Sequence, residues 1–164
     1  MTASAPFRRA DIVAHARQWI GTPYHHQAST LGAGVDCIGL VRGVWRTLYG
    51  QEPERLPGYG RDWSEATGRE TLLEAAKRHF IENDLRSARA GDVLVFRYRA
   101  GTVAKHAGIL ATRSDEDRGR NPPGDASVFT FIHAMEGAPV TEAALSGWWQ
   151  RRIAGVFQFP GIID

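Results

Sequence analysis

The sequence has too few cysteines to form a disulfide, because Cys37 is its only one. A single thiol also excludes a zinc site built from several thiolates, and it leaves a reactive role open. Long apolar runs are missing too: residues 1–9 lack the apolar core of a secretory signal, and no segment is long enough to span a membrane. We therefore expect a soluble protein that is made in the cytoplasm without membrane insertion.

The sequence also lacks an excess of charge of either sign. Twenty Lys and Arg residues stand against 18 Asp and Glu residues, which gives a net charge of +2. Proteins that bind nucleic acid concentrate positive charge on one face, so we expect no nucleic-acid partner. The length of 164 residues, with 43% hydrophobic and 23% charged residues, is typical of one globular domain, here residues 1–164.

The hydrophobic pattern predicts helices in the first half of the chain and strands in the second. Apolar residues recur at helical spacing in three segments, 8–20, 37–49 and 64–80, and the first two end at Gly21 and Gly50. Short apolar runs between turn formers predict four strands, at 92–96, 106–111, 128–133 and 153–159. This order predicts an α+β domain with N-terminal helices packed on one face of an antiparallel β-sheet.

Two segments between these elements, and two glycines inside one of the helices, have their own signals. Residues 22–35 are rich in Gly, Ser, Thr and His without periodicity and predict a loop, and residues 114–125 predict an exposed, charged loop. Gly39 and Gly43 lie inside the second predicted helix. Glycine there indicates that another backbone comes close, and we expect a central helix packed tightly onto the sheet.

Cys37 immediately precedes the second helical pattern. Free backbone N–H groups and the positive end of the helix dipole favour a thiolate at that position, so we expect a lowered pKa and a strong nucleophile for acyl carbons. The same N–H groups would bind the oxyanion of the transition state. The alternative is that Cys37 is a small buried residue, as many free cysteines are.

Two histidines stand at the ends of consecutive predicted strands. His106 begins one strand and His133 ends the next. If these strands are antiparallel neighbours, the two imidazoles lie side by side, one to take the thiol proton and the other to orient it. The alternative is two unrelated histidines at strand ends. His25 and His26 form a further pair, but adjacent residues rarely chelate one metal, so we expect neither a metal nor a cofactor.

Five motifs give the sequence a family resemblance. They are GTPY at 21–24, DCIGLV at 36–41, GDVLVF at 91–96, HAGI at 106–109 and FIHA at 131–134. With them the sequence resembles the NlpC-type cell-wall peptidases, papain-like cysteine hydrolases that cleave peptidoglycan stem peptides.

The resemblance implies a papain-like fold with the nucleophile at the N-terminus of a central helix. By this resemblance Cys37 is the nucleophile, His106 is the general base, His133 orients the base and Tyr24 contributes to the oxyanion region. Tyr24 has an alternative interpretation as a core aromatic residue. The implied reaction is hydrolysis of a stem-peptide amide, at the D-glutamyl–diaminopimelate bond, through an acyl-enzyme and without a cofactor.

Two features depart from the family pattern. Ile38 stands where the family usually has a serine, which alters the groove beside the nucleophile. The segment 113–127 is longer than the family's tight connection, and it would serve as a lid or a docking surface.

Three further motifs resemble a subgroup of the family. TPYHHQ at 22–27, LVRGVW at 40–45 and RIAGVF at 152–157 are similar to segments of peptidases encoded with phage tails and gene transfer agents. The resemblance implies tail-hub or baseplate partners and incorporation into a phage-like particle, which would bring a protein without a signal peptide to the cell wall.

Two other functions remain open at the level of sequence. One is a structural tail component with a vestigial site, which would anchor partners through surface aromatics such as Trp63, Trp148 and Trp149. The other keeps the thiol chemistry but uses it as an acyltransferase or lipid amidase on a related fold.

Overall fold

The computed structural model describes residues 6–54, 68–112 and 129–164, and the helices and strands lie within these ranges. The helices are α1 (Arg9–Arg17), α2 (Cys37–Tyr49), α3 (Thr71–His79) and the single turn α4 (Gly147–Gln150), with a 3₁₀ turn at Leu85–Ser87. The strands are β1 (Ser29–Thr30), β2 (Gly34–Val35), β3 (Ile81–Asn83), β4 (Val93–Phe96), β5 (His106–Thr112), β6 (Phe129–His133), β7 (Thr141–Ala144) and β8 (Ile153–Gln158).

Six of these strands form one antiparallel sheet. Its order is β3-β8-β4-β5-β6-β7, and β1 pairs with β2 in a separate hairpin. Phe96 pairs with His106 at the end of the β4–β5 ladder, and Ile109 pairs with Ile132 between β5 and β6. The α+β prediction is therefore confirmed, including the antiparallel pairing of the two strands that carry the histidines.

Each face of the sheet packs against its own apolar cluster. On one face, Leu40 and Val44 of α2 pack with Ala107 and Ile109 of β5 in the larger cluster, which also contains residues of α1 and α3. Strand residues alternate between faces, so the intervening residues of β4, β5 and β6 form the second cluster. Leu94, Phe96, Leu110, Phe131 and Val156 are its buried sheet residues.

Helix α2 begins and ends where the sequence predicts. Asp36 is the N-cap, and its Oδ1 accepts a hydrogen bond from the backbone N–H of Gly39 at 2.7 Å. Gly50 ends the helix at a φ of 84°, and its N–H donates to the carbonyl of Arg46 at 2.8 Å. An aspartate at the N-cap and a left-handed glycine at the C-terminus are typical helix boundaries.

The two glycines inside α2 make room for neighbours other than the sheet. A Cβ on Gly39 would be 2.0 Å from the backbone oxygen of Ala28, and a Cβ on Gly43 would be 2.1 Å from the indole ring of Trp19. The prediction of a close backbone is thus confirmed at Gly39, where a loop supplies it. The prediction that the sheet would be the neighbour is wrong, because a loop and a tryptophan ring occupy the space.

Several element boundaries differ from the prediction. Helix α3 begins at residue 71, since Gly68 has a left-handed φ of 67° that a helix cannot continue through; residues 64–67 of the predicted helix lie outside the described residues. The predicted loop 22–35 contains the β1–β2 hairpin. Strands β3 and β7 were not predicted, because their residues are mostly exposed or half-buried and lack a clear apolar alternation.

A buried ion pair joins the N-terminal helix to the sheet. The guanidinium of Arg9 lies 2.6 Å from Oδ1 of Asp92 and 2.8 Å from the side-chain oxygen of Gln158. Asp92, the aspartate of the GDVLVF motif, therefore has a structural role as the partner of Arg9. Among the described residues, no helix combines the length and the apolar character that crossing a membrane requires.

Candidate active site

Cys37 is the first residue of α2 and is half-buried. Its Sγ lies 3.9 Å from the carbonyl oxygen of Lys105, the residue before His106. The start of α2 thus meets the start of β5, as the sequence predicts. In the described ranges of the chain, the hydrogen bond that the thiol makes is the one to this carbonyl.

His106 and His133 form a hydrogen-bonded pair. Nε2 of His106 lies 2.9 Å from Nδ1 of His133, and the two rings meet edge to face with centroids 5.2 Å apart. Both residues are buried, with 2% and 5% of their surface exposed. The prediction that the two imidazoles stand side by side is confirmed.

This pairing fixes which nitrogen of His106 is available for the thiol. Because Nε2 is occupied by His133, Nδ1 is the nitrogen left to accept a proton. His106 acts as a base only if its Nε2 carries the hydrogen and donates to Nδ1 of His133, since a neutral imidazole has one donor and one acceptor. The histidine pair can therefore select the tautomer that proton transfer from Cys37 needs.

Burial keeps both imidazoles neutral. It lowers the pKa of His106 to about 3, with the charge of His133 as a second cause. Burial likewise lowers the pKa of His133 to about 4. Moving a charged imidazole out of water is unfavourable, and no carboxylate among the described residues offsets that cost. The resting site at neutral pH therefore contains two uncharged rings.

The environment of Cys37 favours the thiol over the thiolate. The pKa of Cys37 is raised to about 12, first by burial and second by the carboxylate of Asp36, although the backbone N–H groups at Cys37, Ile38 and Ala107 act to lower it. The expectation that the helix N-terminus would lower this pKa is therefore wrong for the resting site. The helix N–H groups act in the expected direction, but burial and the adjacent carboxylate outweigh them.

Asp36 links the start of α2 to the preceding loop. While its Oδ1 caps α2, its Oδ2 accepts a hydrogen bond from the backbone N–H of Gln27 at 2.8 Å. The carboxylate is buried. It therefore holds Gln27 against the start of α2 and places a negative charge beside Cys37.

Tyr24 lies at a groove on one side of the site. The residue is half-buried and forms an isolated parallel bridge with Val35. The groove has a volume of about 780 Å³, and its walls are Pro23, Tyr24, His25, His26, Glu136, Gly137, Ala138 and Pro139. Residues 136–139 of its wall follow His133 in the sequence, but neither His106 nor His133 lines the groove. Its size suits a peptide substrate.

Tyr98 belongs to the same site and was missed in the sequence. Its ring centroid is 5.6 Å from that of His106. Burial raises the pKa of Tyr98, and negative charge on Cys37 or Tyr24 raises it further, which places the three groups in one electrostatic environment. The signal that could have found it is its position two residues after Phe96, which pairs with His106.

Glu70 holds the loop that carries Tyr98. Its carboxylate binds the guanidinium of Arg97 at the start of the loop and accepts a hydrogen bond from the backbone N–H of Ala104, at 2.9 Å, near the end. The loop leads directly into His106. Both ends of the loop are thus attached to Glu70, the N-cap residue of α3.

A second cavity lies beside the residues that follow Cys37 and His106 in the sequence. It has a volume of about 350 Å³ between α2, α3 and the sheet, and Ile38 and Ala107, which follow Cys37 and His106 in sequence, are in its wall. Val41, Trp45, Leu72 and Val95 add apolar surface, and Arg42, Glu52 and Glu54 add charge. Ile38, the residue next to Cys37, thus lines an apolar space.

The histidines of the predicted loop lie apart from the histidine pair. His25 and His26 line the groove with Tyr24. Within the described ranges, no three His, Cys, Asp or Glu side chains form a cluster with metal-ligand geometry. Trp63 and the segment 113–127, to which the sequence assigns partner-binding or lid roles, lie outside the described residues.

Comparisons with known proteins point to one family. Residues 21–158 match the model of the NlpC/P60 family. The chain is 28% identical over 152 residues to the gamma-DL-glutamyl hydrolase of Bacillus subtilis (strain 168), an alignment that covers 92% of this chain and 29% of that protein. The chain therefore spans less than a third of the length of this curated relative.

Solved structures show a similar fold. The NlpC/p60 domain of the peptidoglycan hydrolase SagA superposes with a TM-score of 0.56 at 21% identity, covering 93% of this chain and 100% of that domain. An NlpC/P60 family protein from Bacillus cereus ATCC 10987 superposes with a TM-score of 0.61 at 15% identity, covering 96% of this chain and 42% of the other. At sequence identities this low, the similarity is evidence for a shared fold alone.

Proposed function

The chain belongs to the NlpC/P60 family, and from this premise we propose that it is a cysteine peptidase that hydrolyses an amide bond in the stem peptide of peptidoglycan. The observation that carries the proposal is the meeting of Cys37, at the start of α2, with the strand that presents the hydrogen-bonded His106–His133 pair. A nucleophile, a base and a group that orients the base are the parts that acyl transfer requires.

In the proposed reaction, Sγ of Cys37 turns from the Lys105 carbonyl towards Nδ1 of His106 and attacks the carbonyl carbon of the substrate. The thiol proton moves to Nδ1 as the C–S bond forms. His133 stabilises the resulting imidazolium through its hydrogen bond to Nε2. Since the resting groups are a neutral thiol and a neutral imidazole, proton transfer accompanies the attack.

The negative charge that develops on the substrate oxygen needs hydrogen-bond donors. The backbone N–H groups at the start of α2 supply them, and the hydroxyl of Tyr24 is the proposed side-chain donor. His106 then gives its proton to the leaving amine as the C–N bond breaks, which leaves an acyl-enzyme on Cys37. Water, deprotonated by His106, hydrolyses the thioester and restores the thiol.

The proposed bond is the one between D-glutamate and diaminopimelate. Support comes from the family resemblance and from the curated relative, whose name assigns it a glutamyl hydrolase activity. The groove of about 780 Å³ beside Tyr24 has room for a peptide segment.

We also propose that a phage-like tail delivers the peptidase to the cell wall. The support is the resemblance of segments 22–27, 40–45 and 152–157 to tail-encoded peptidases. The test is mass spectrometry of phage-like particles purified from the source organism. Peptides of this chain that co-sediment with tail proteins through a density gradient would support delivery, and a chain found only outside the particles would contradict it.

The test of the peptidase proposal is digestion of purified peptidoglycan. The wild type is expected to release new amino termini at the D-glutamyl–diaminopimelate bond, identified by the masses of the soluble fragments. Cys37→Ala is expected to abolish release without unfolding the protein, and His106→Ala is expected to reduce it by a factor of about 10² or more. Release by Cys37→Ala at the wild-type rate would exclude the mechanism.

The apolar cavity beside Ile38 favours a second candidate, an amidase or acyltransferase that accepts an apolar acyl group. Its volume of about 350 Å³ is at the lower end for ligand pockets. p-Nitrophenyl esters from acetate to decanoate would test it in the wild type and in Ala75→Trp, which fills the cavity. A preference for long acyl chains that Ala75→Trp removes would support this candidate; equal rates along the series would exclude it.

A further inference from the structure

Trp149 lies against both histidines of the site. It belongs to the single turn α4 and is half-buried. Its ring centroid is 5.5 Å from that of His106 and 5.3 Å from that of His133. It also contacts Phe96 and Phe131 at 5.2 and 5.0 Å, so it extends the apolar cluster on this face of the sheet up to the imidazoles.

The indole meets the two imidazoles in different orientations. Its plane is inclined by 32° to the His106 ring and by 77° to the His133 ring. One side chain therefore spans the pair that shares the 2.9 Å hydrogen bond. The rings of Phe96 and Phe131 lie on the sheet below the pair, at 5.7 Å from His106 and 4.2 Å from His133 respectively.

Hydrogen bonds hold the turn that carries Trp149 in place. The side-chain amide of Gln150 donates to the carbonyl of Leu145 at 2.7 Å. The guanidinium of Arg152 donates to the carbonyl of Trp148 at 2.8 Å and to that of Tyr98 at 3.2 Å. Because Arg152 bonds both Trp148 of α4 and Tyr98, it attaches α4 to the loop that carries Tyr98 and fixes the indole relative to the active site.

The neighbouring tryptophan has a different environment. Trp148 is 45% exposed, and its ring contacts that of Trp149, at 4.8 Å between centroids, and the guanidinium carbon of Arg152 at 3.6 Å. The two adjacent residues thus form a natural comparison: the same side chain on the same turn, with one ring on the histidines and one ring facing solvent.

We propose that Trp149 is a positioning residue for the reaction, because it shields the His106–His133 hydrogen bond from water and keeps the His106 ring in the orientation that presents Nδ1 to Cys37. The inference rests on the proposed function in one respect, the role of His106 as the base. A hydrogen bond in an apolar environment does not compete with water, and a ring packed on several sides keeps one rotamer.

This role predicts an effect on the histidines themselves. Burial is what lowers the pKa of both His106 and His133. Loss of the indole admits water to both rings, so their pKa values rise towards the ordinary value near 6.5. In the variant, protonated imidazoles persist to higher pH, and a protonated His106 cannot accept the thiol proton.

The test compares Trp149→Ala, Trp149→Phe and Trp149→Leu with Trp148→Ala. Ring-proton NMR titrations of His106 and His133 are recorded for each, together with kcat and KM on a stem-peptide substrate between pH 5 and 9. In Trp149→Ala we expect histidine midpoints at least one pH unit higher, a kcat lower by about tenfold or more and a KM within about threefold of the wild type. Trp149→Phe is expected to restore most of the wild-type behaviour, and Trp148→Ala to match the wild type.

Trp149→Leu serves if Trp149→Ala does not fold, because leucine keeps apolar bulk against Phe96 and Phe131 but is too short to cover both imidazoles. It is expected to raise the histidine midpoints as well. The NMR titration does not depend on turnover, so it separates this inference from the proposed reaction. Unchanged midpoints in both the alanine and leucine variants, or equal shifts in Trp148→Ala, would overturn the inference.

Discussion

Gly108 and His133 lie against each other on the neighbouring strands β5 and β6. A Cβ atom on Gly108 would be 3.2 Å from Cβ of His133 and 2.8 Å from Cδ2 of Phe131. The missing side chain thus makes the space in which His133 reaches across to His106. Gly108 lies inside β5, so its lack of a side chain concerns this contact and not a turn.

Gly108→Ala is therefore expected to separate the imidazoles. The added methyl group displaces His133 or Phe131, weakens the bond to His106 and lowers kcat about tenfold or more, with a stability loss of about 1–3 kcal/mol. The measurements are peptidoglycan hydrolysis and urea denaturation.

A matched control exists on β8 of the same sheet. A Cβ on Gly155 would be 2.7 Å from the ring of Phe157, so Gly155→Ala is equally crowded but does not touch the histidines. It is expected to lose similar stability and to retain activity. Full activity in Gly108→Ala would contradict the role assigned to the glycine.

The stability of the protein is expected to depend on the two buried histidines at mildly acidic pH. Their pKa values are about 3 and about 4 in the folded protein and near 6.5 in the unfolded chain. The unfolded chain therefore binds more protons than the folded protein between these values. The free energy of unfolding should fall as pH decreases below about 6.5, by up to about 1.4 kcal/mol per pH unit for each histidine.

The comparison of variants isolates this contribution from that of the carboxylates. In urea denaturation at pH 4.5, 5.5 and 7, the free energy of unfolding is expected to depend less steeply on pH in His106→Ala and His133→Asn than in the wild type. His25→Ala removes an exposed histidine and should keep the wild-type dependence. A wild-type slope in His106→Ala would show that its imidazole is not held neutral by burial.

Most of the elements that position the site could be predicted from local signals. Helix α2 has an N-cap aspartate, a strong apolar periodicity and a glycine stop, so both of its ends were predicted. The buried strands β4 and β5 are apolar runs bounded by turn formers. His106 and His133 could be paired in advance because antiparallel neighbours bring the end of one strand to the start of the next.

The remaining parts depend on three-dimensional packing. Trp149 and Tyr98 reach the histidines from segments that carry no local signal for such a contact. The pKa of Cys37 was predicted in the wrong direction, because the helix N-terminus is visible in the sequence but the burial of the thiol is not. The short, exposed strand β3 was missed because its extended conformation depends on pairing with β8 and not on its own composition.

The thiol of the free protein is expected to react slowly at neutral pH. Because its pKa is about 12, little thiolate exists below pH 9, in contrast to a free cysteine with a pKa near 8.5. The alkylation rate with limiting iodoacetamide, followed by intact mass from pH 5 to 10, should rise with pH and remain below that of glutathione. A plateau between pH 5 and 7 would instead indicate a preformed thiolate–imidazolium pair.

Asp36→Asn is expected to affect the thiol and the fold in opposite ways. Removing the negative charge lowers the pKa of Cys37, so alkylation at a given pH becomes faster. The asparagine oxygen can still cap α2, but its NH₂ group cannot accept the hydrogen bond from Gln27, which costs about 1–3 kcal/mol. Faster labelling and a lower urea midpoint should therefore appear together.

The control for this variant is Asp84→Asn. Asp84 also accepts a backbone hydrogen bond at the start of a helical turn, from Arg86 at 3.0 Å, but it lies in an exposed contact. Its substitution should leave the labelling rate of Cys37 unchanged. If Asp36→Asn lowered stability without accelerating alkylation, the carboxylate would act on the loop alone. The high pKa of the thiol would then have to be attributed to burial, and the charge beside Cys37 would have no part in holding the resting site as a neutral pair.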